Sequence, residues 1–202
     1  DAHQNALYLE DMTACELHRH NHPKALALQE EAVRYAMQCS DTLLKANALS
    51  TYAFCLHHAD RKEDAMLALE QSIALFRELE GDGVFYYDKY RTTIIYTDLL
   101  FSIGRIEEAV GLASAAESTL NKMNLTHTSV YADCRFSLGI YRLCLHDAAA
   151  ADDLVCAFRI LIDLYGAESD LVRIRRTEAK RYAEQSQFDL TKNDRLLQLL
   201  GE

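Results

Sequence analysis

Apolar residues fall three and four positions apart through most of the chain, in stretches that come in pairs. Leu7, Leu9, Met12 and Leu17 mark the first stretch, and Leu28, Val33 and Met37 mark its partner. The next pair is Leu43, Leu44, Tyr52, Phe54 and Leu56, then Leu67, Leu69, Ile73, Leu75 and Phe76. A third runs through Tyr90, Ile94, Ile95, Leu99 and Leu100 before a small-residue stripe at Ala109, Ala113 and Ala116. The fourth joins Tyr131, Phe136, Leu138, Tyr141 and Leu143 to Leu154, Val155, Phe158, Ile160 and Leu161. Such spacing predicts amphipathic helices. A ninth helix begins at Asp170 and ends near Gln187, and Asp194–Leu200 reads as a cap or as the start of another helix.

The second helix of each pair carries two small residues seven positions apart: Ala25/Ala32, Ala65/Ser72, Ala109/Ala116 and Ala150/Ala157. Seven residues are two turns, so both members share one face. The first members are separated by 40, 44 and 41 positions. A recurrence on that scale predicts an array of helical hairpins. Small stripes let the two helices of a hairpin approach closely.

The breaks fit this reading. Pro23 suits the first turn of a helix, where its missing N–H costs nothing. Asp41 is placed to cap a helix N-terminus. Ala59–Asp60–Arg61–Lys62 and Ile103–Gly104–Arg105 are turns inside repeats, with Asp60 and Gly104 each five residues before the small pair. Gly81 and Gly166 each lie nine residues after the second small residue and predict the same helix end.

Composition narrows the class. The chain has 202 residues, one proline and seven glycines, too few for the turns of a β-rich fold. Hydrophobic residues make up 50% and charged residues 26%, which suits a folded core. The net charge of −10 disfavours nucleic acid and anionic membrane surfaces as partners. No apolar run is long enough for a transmembrane span, and the first residues do not form a signal peptide. The absence of an initiator Met is compatible with a fragment of a larger protein. The six cysteines include no C-x-x-C pair and are expected to be small buried hydrophobes in a reducing, cytoplasmic setting. Arg173, Arg175, Arg176, Lys180 and Arg181, interleaved with Glu178 and Glu184, are expected on a solvated helix face.

The small residues of the second helices, the turn glycine Gly104, and Tyr52 and Tyr96 thirteen positions before Ala65 and Ala109 resemble the tetratricopeptide repeat (TPR). The resemblance covers residues from about 5 to 187. It departs from the pattern in having no tryptophan and no proline after the second helices. The period exceeds the usual ~34 residues and is similar to the long-helix variant of kinesin light chains and of bacterial regulators with repeat-type sensor domains. Leu164–Tyr165–Gly166 and Asp170–Ile174 look like the inter-repeat connection of that variant. The fold implied is all-α, a right-handed α-α superhelix of about four hairpins with a C-terminal capping helix. It forms a single domain over residues 1–202, with repeats at about 5–40, 41–80, 84–121 and 126–165 and the capping helix at 169–187.

The resemblance implies a concave groove, lined by the first helix of each repeat, that binds peptides or protein segments. Matching positions here are Asn47, Phe54, His57 and His58, then Arg91, Ile94, Asp98 and Phe101, then Arg135 and Arg142. Aromatic residues and arginines are where binding energy concentrates. The subclass that clamps chaperone carboxylates is disfavoured, because Phe54 offers no polar contact and Asp98 repels a carboxylate. Asn47 also suits a peptide backbone, since its amide both donates and accepts.

Two local features admit more than one reading. Leu17–His22 carries His18, His20 and His22, which suggest a metal site. His18, His57 and His146 also fall near the ends of first helices, where the helix dipole favours them, and no metal or other cofactor is expected. Phe85–Tyr90 is either core packing or an exposed aromatic patch. No nucleophile–base signature or phosphate loop is present, so no enzyme is expected. The expected function is a protein- or peptide-binding scaffold, compatible with a homodimer. The alternative is a ligand-sensing regulatory module of a larger bacterial signalling or transcription-regulator protein.

Overall fold

The four turns inside the helical hairpins share one backbone conformation, which recurs at Asn124 and Gln187. His20, Asp60, Gly104 and His146 have φ of 56°, 58°, 81° and 54°. The next amide in each case returns to a carbonyl five residues back: Asn21 to Glu16, Arg61 to Leu56, Arg105 to Leu100 and Asp147 to Arg142, at 2.9–3.0 Å. A left-handed residue closed by such a bond satisfies the last carbonyls of one helix and reverses the chain into the next.

The computed structural model describes residues 1–79 and 86–201, the side chains of Tyr86 and Tyr87 excepted. Among them are ten α-helices and no strand. They are α1 (Ala2–His18), α2 (His22–Ala36), α3 (Thr42–His58), α4 (Lys62–Glu78) and α5 (Tyr86–Ser102). The rest are α6 (Ile106–Lys122), α7 (Ser129–Cys144), α8 (Ala149–Tyr165), α9 (Asp170–Gln185) and α10 (Asp194–Leu200). No helix among the described residues is long and apolar enough to cross a membrane. The cap expected at Gly81 lies outside the described residues, as do Phe85 and the side chains of Tyr86 and Tyr87 in the run Phe85–Tyr90, whose last member, Tyr90, is buried.

Contacts divide the chain into two units, Asp1–Leu99 and Leu100–Glu202. In the first, α1 pairs with α2 and α3 with α4, and α2 packs on α3. Leu49, Ala53, Leu56, Ala65, Leu69 and Leu99 form one core cluster, with Leu26, Val33, Tyr52 and Tyr96 against it. Side chains bridge the helices through main-chain carbonyls. Gln29 Nε2 donates to Ala48 O at 2.9 Å, and Ser72 Oγ donates to Ala46 O at 2.7 Å. Ser72 is the polar member of the small pairs, and this bond is what its hydroxyl adds to the small size.

In the second unit, α7 pairs with α8, α6 packs on α7, and α9 packs on both α7 and α8. Every member of the four small pairs is buried. Gly166, at φ 86°, ends α8 as expected. The last helix is a cap: α10 packs on α8 with Leu196 and Leu200 buried, and Arg176 Nε donates to Leu199 O at 2.7 Å.

Three expectations are corrected. Cys15 is exposed, and only Cys55 and Cys134 are fully buried, so the cysteines are not uniformly core residues. Arg175 and Arg176 are not free on a solvated face. Arg175 pairs with Asp133 and Glu178, and Arg176 donates to the carbonyls of Ala167 and Leu199. His146 lies beyond the end of α7, at the left-handed turn position, and so matches His20 in the repeat rather than His18.

Candidate functional site

Helix α3 begins at Asp41, whose carboxylate accepts from the Leu44 amide at 3.0 Å. That bond holds the Asp41 carboxyl below its ordinary range. From this fixed start, Asn47 and Phe54 lie seven residues apart on one face, as do Arg91 and Asp98 on α5. Asn47, Phe54 and Arg91 are half-buried, and Asp98 is exposed. Ile94 is 9% exposed and belongs to the core rather than to an open surface.

The end of α3 meets the start of α2 through rings. His58 stacks on His22 with centroids 4.6 Å apart, and the Phe54 edge meets His58 at 4.4 Å. His57 lies 5.7 Å from His58. Burial holds both His57 and His58 below the ordinary imidazole value, with Lys62 adding to the effect on His57 and His22 to that on His58. Both are biased toward the neutral form, and the His58 ring offers a flat aromatic face to its neighbours. Among the described residues no three His, Cys, Asp or Glu side chains converge on a metal position.

A polar group that sequence reasoning missed lies behind this face. Gln29 is fully buried. Glu10 Oε1, Gln29 Oε1, Asn47 Oδ1 and Arg91 Nε are enclosed and have no hydrogen-bond partner. Burial raises the Glu10 carboxyl to about 7, with the Gln29 amide and the Arg91 charge partly opposing the shift. The repeat offset could have found Glu10. It lies 40 residues before Ser50, a buried polar position whose Oγ accepts from Thr92 at 2.9 Å.

In the second unit, Phe101 stacks on Tyr141 at 4.9 Å and meets Tyr182 edge-on at 5.6 Å. Arg135 and Arg142 converge on one buried carboxylate. Arg135 Nη2 lies 2.9 Å from Asp153 Oδ1, and Arg142 Nη1 donates to Asp153 Oδ2. Arg135 also reaches Glu117 at 3.3 Å, and the Tyr131 hydroxyl donates to Glu117 at 2.6 Å. Both arginines are therefore already charge-paired inside the unit, and about a fifth of each side chain remains exposed. On α9, Arg173, Ile174, Thr177, Glu178 and Arg181 line an open hollow, with Ile174 60% exposed.

The structure thus brings Asn47, Phe54, His57, His58 and Arg91 onto helix faces of the first unit. It sets Ile94 in the core and turns the charges of Arg135 and Arg142 inward.

No family model matches the sequence, and no match was found among curated proteins. Solved structures do match. A putative kinesin light chain with nearly identical TPR-like repeats from Podosopora anserina, in a single-substitution form, superposes with a TM-score of 0.69 at 13% identity. That match covers 96% of this chain and 92% of the other. A Rap protein complexed with Competence and Sporulation Factor gives a TM-score of 0.70 at 15% identity over 98% of this chain, and the apo form of RapI gives 0.64 at 15% over 96%. The chain spans about half the length of those two Rap proteins, 55% and 56%. At such identities the likeness is one of architecture, and this chain has the all-α, TPR-like helical-repeat fold.

Proposed function

We propose that the chain is a protein- or peptide-binding scaffold, and that residues 1–202 act as one array whose first helices present the binding groove. The observation that carries this reading is the mixed face of α3 and α5. Phe54 and His58 supply aromatic surface, and Asn47 and Arg91 keep polar atoms unmatched within the protein. Buried polar atoms are rarely left so, and a bound main chain offers both the donors and the acceptors they lack. In the second unit Phe101 is proposed as a partner contact by itself, and Arg135 and Arg142 as residues that act through the order they give α7. A preformed surface of this kind avoids much of the ordering cost of binding. Partners are protein or peptide segments rather than nucleic acid or membranes, in keeping with the charge of −10, and the setting is cytoplasmic. No enzymatic chemistry is proposed.

The test is affinity capture with mass spectrometry, comparing wild type with Asn47→Ala/Arg91→Ala. A protein or peptide retained by wild type and lost by the double variant supports the groove. Equal recovery by both places binding elsewhere.

A second reading, a ligand-sensing module of a larger signalling protein, is favoured by one observation. The Rap protein solved in complex with Competence and Sporulation Factor matches nearly the whole chain. A bound peptide would then shift the population of states of the array. Peptide binding that slows amide hydrogen exchange along the whole chain supports this reading, and protection confined to α3 and α5 supports the scaffold.

A further inference from the structure

Four side chains of the first unit, each on a different helix, hold enclosed polar atoms without a partner, and Glu10, Gln29 and Arg91 among them are near neighbours. Glu10 comes from α1, Gln29 from α2, Asn47 from α3 and Arg91 from α5. Gln29 is fully buried and fixed by its bond from Nε2 to Ala48 O, which leaves its own oxygen without a donor. Glu10 Oε1 and Asn47 Oδ1 are also enclosed without a donor. Within this set the unmatched atoms are three acceptor oxygens and a single nitrogen, Arg91 Nε. Glu10 and Arg91 lie near enough to influence each other electrostatically, yet make no ion pair or hydrogen bond. Glu16 in the same unit shows the contrast: it is buried, but Lys24, Arg19 and Asn21 satisfy it.

The Gln29 amide offsets part of the cost of the Glu10 charge, but the enclosed Oε1 has no donor of its own, and a positively charged donor is what offsets such a cost most strongly. Arg91 stands aside from the role. We propose that Glu10, backed by Gln29, is a subsite for a basic side chain, a Lys ammonium or an Arg guanidinium, of a peptide whose main chain lies against Asn47 and Arg91. This rests on the groove reading above and adds its selectivity. Such a group supplies three to five N–H donors, enough for the waiting oxygens. The raised affinity of Glu10 for protons adds support, since a site that holds a proton near neutrality holds a cation in its place.

The experiment is a selection from a random dodecapeptide library displayed on mRNA, run in parallel on wild type, Glu10→Gln and Arg91→Ala, each confirmed folded by circular dichroism. Wild type is expected to select peptides with Lys or Arg at one fixed position. Replacing that residue by Gln should weaken binding to wild type at least tenfold and leave binding to Glu10→Gln nearly unchanged. Arg91→Ala should weaken all selected peptides alike. With ¹³C-labelled Glu, the selected peptide should lower the pH at which Glu10 titrates. Selected peptides without a fixed basic residue, or an equal Lys-to-Gln loss on wild type and Glu10→Gln, would overturn this inference and leave the groove standing. Selection of no peptide by any form would overturn both.

Discussion

Gly139 on α7 lies so close to Leu154 on α8 that a Cβ added to it would stand 2.6 Å from Leu154 Cγ. The Ala150 carbonyl oxygen would be 3.3 Å away. Leu154 is fully buried. Gly139→Ala is expected to destabilise the second unit by about 1–3 kcal/mol through overpacking, even though alanine favours helix. Urea denaturation measures this. In a Leu154→Ala background the same substitution should cost clearly less, because the two positions couple. Equal costs in both backgrounds would show that the contact is not the cause.

Asp153 is the shared partner of Arg135 and Arg142. Removing one side of a buried charge cluster leaves the others uncompensated, at about 3–5 kcal/mol. The two arginines keep some access to water, so Asp153→Ala should fall near the lower end. Thermal unfolding in the quadruple variant Asp153→Leu/Arg135→Met/Arg142→Met/Glu117→Gln, which also removes the charge that Arg135 balances on Glu117, is expected to recover most of the loss. Failure to recover would mean that Asp153 does more than balance those charges.

Stability should fall between acid and neutral pH because of Glu10. Its carboxyl is raised from 4.5 to about 7 in the folded protein. The folded state then binds more protons than the unfolded state between those values, so stability declines as pH rises through them. The full penalty is present above pH 7 and amounts to about 3 kcal/mol at most. Glu10→Gln should remove this dependence and be more stable than wild type at pH 8. His57 and His58 act at the acid end: their depressed affinity for protons makes stability fall as pH drops below the ordinary imidazole value. Chemical denaturation from pH 4 to 8 separates the two effects. A pH profile unchanged by Glu10→Gln would refute the assignment.

The four turns make a matched series. Asp60 and His146 hold left-handed backbone without being glycine, while Gly104 holds it as glycine. A side chain there costs about 1 kcal/mol or somewhat more. Asp60→Gly and His146→Gly are therefore expected to raise the melting temperature slightly, and Gly104→Ala to lower it. For Asp60 the gain is reduced by its contact with Lys62 at 3.7 Å. Three changes of the same sign would remove turn conformation as the explanation.

The fold was legible because its signals repeat. Ala25/Ala32 and its three counterparts announce close helix pairs at a steady interval, and the structure buries every one. Asp60 and Gly104 announced equivalent turns from their place five residues before the small pairs. The polar interior was harder to read. Asp152 and Asp153 are neighbours in sequence, yet one is exposed and the other buried. One residue of rotation, about 100° around the helix axis, separates those fates, and spacing alone does not resolve it. Arg135 and Arg142 share a helix face and so read as a groove stripe. Their long side chains instead reach sideways to Asp153, a reach that depends on which helix stands beside them. Gln29 was hidden for the same reason: its partner, Ala48 O, is a backbone atom that leaves no mark in the sequence.

The two buried thiols fall one to each unit. Cys55 lies within Asp1–Leu99, and Cys134, whose thiol donates to Ala113 O at 3.3 Å, lies within Leu100–Glu202. Burial pushes Cys55 up to about 11 and Cys134 up to about 12, so neither forms thiolate while its unit stays closed. Alkylation of each is then gated by local opening. The chain carries two internal clocks, and mass spectrometry of the modified cysteines reads, residue by residue, how often each half of the molecule breathes.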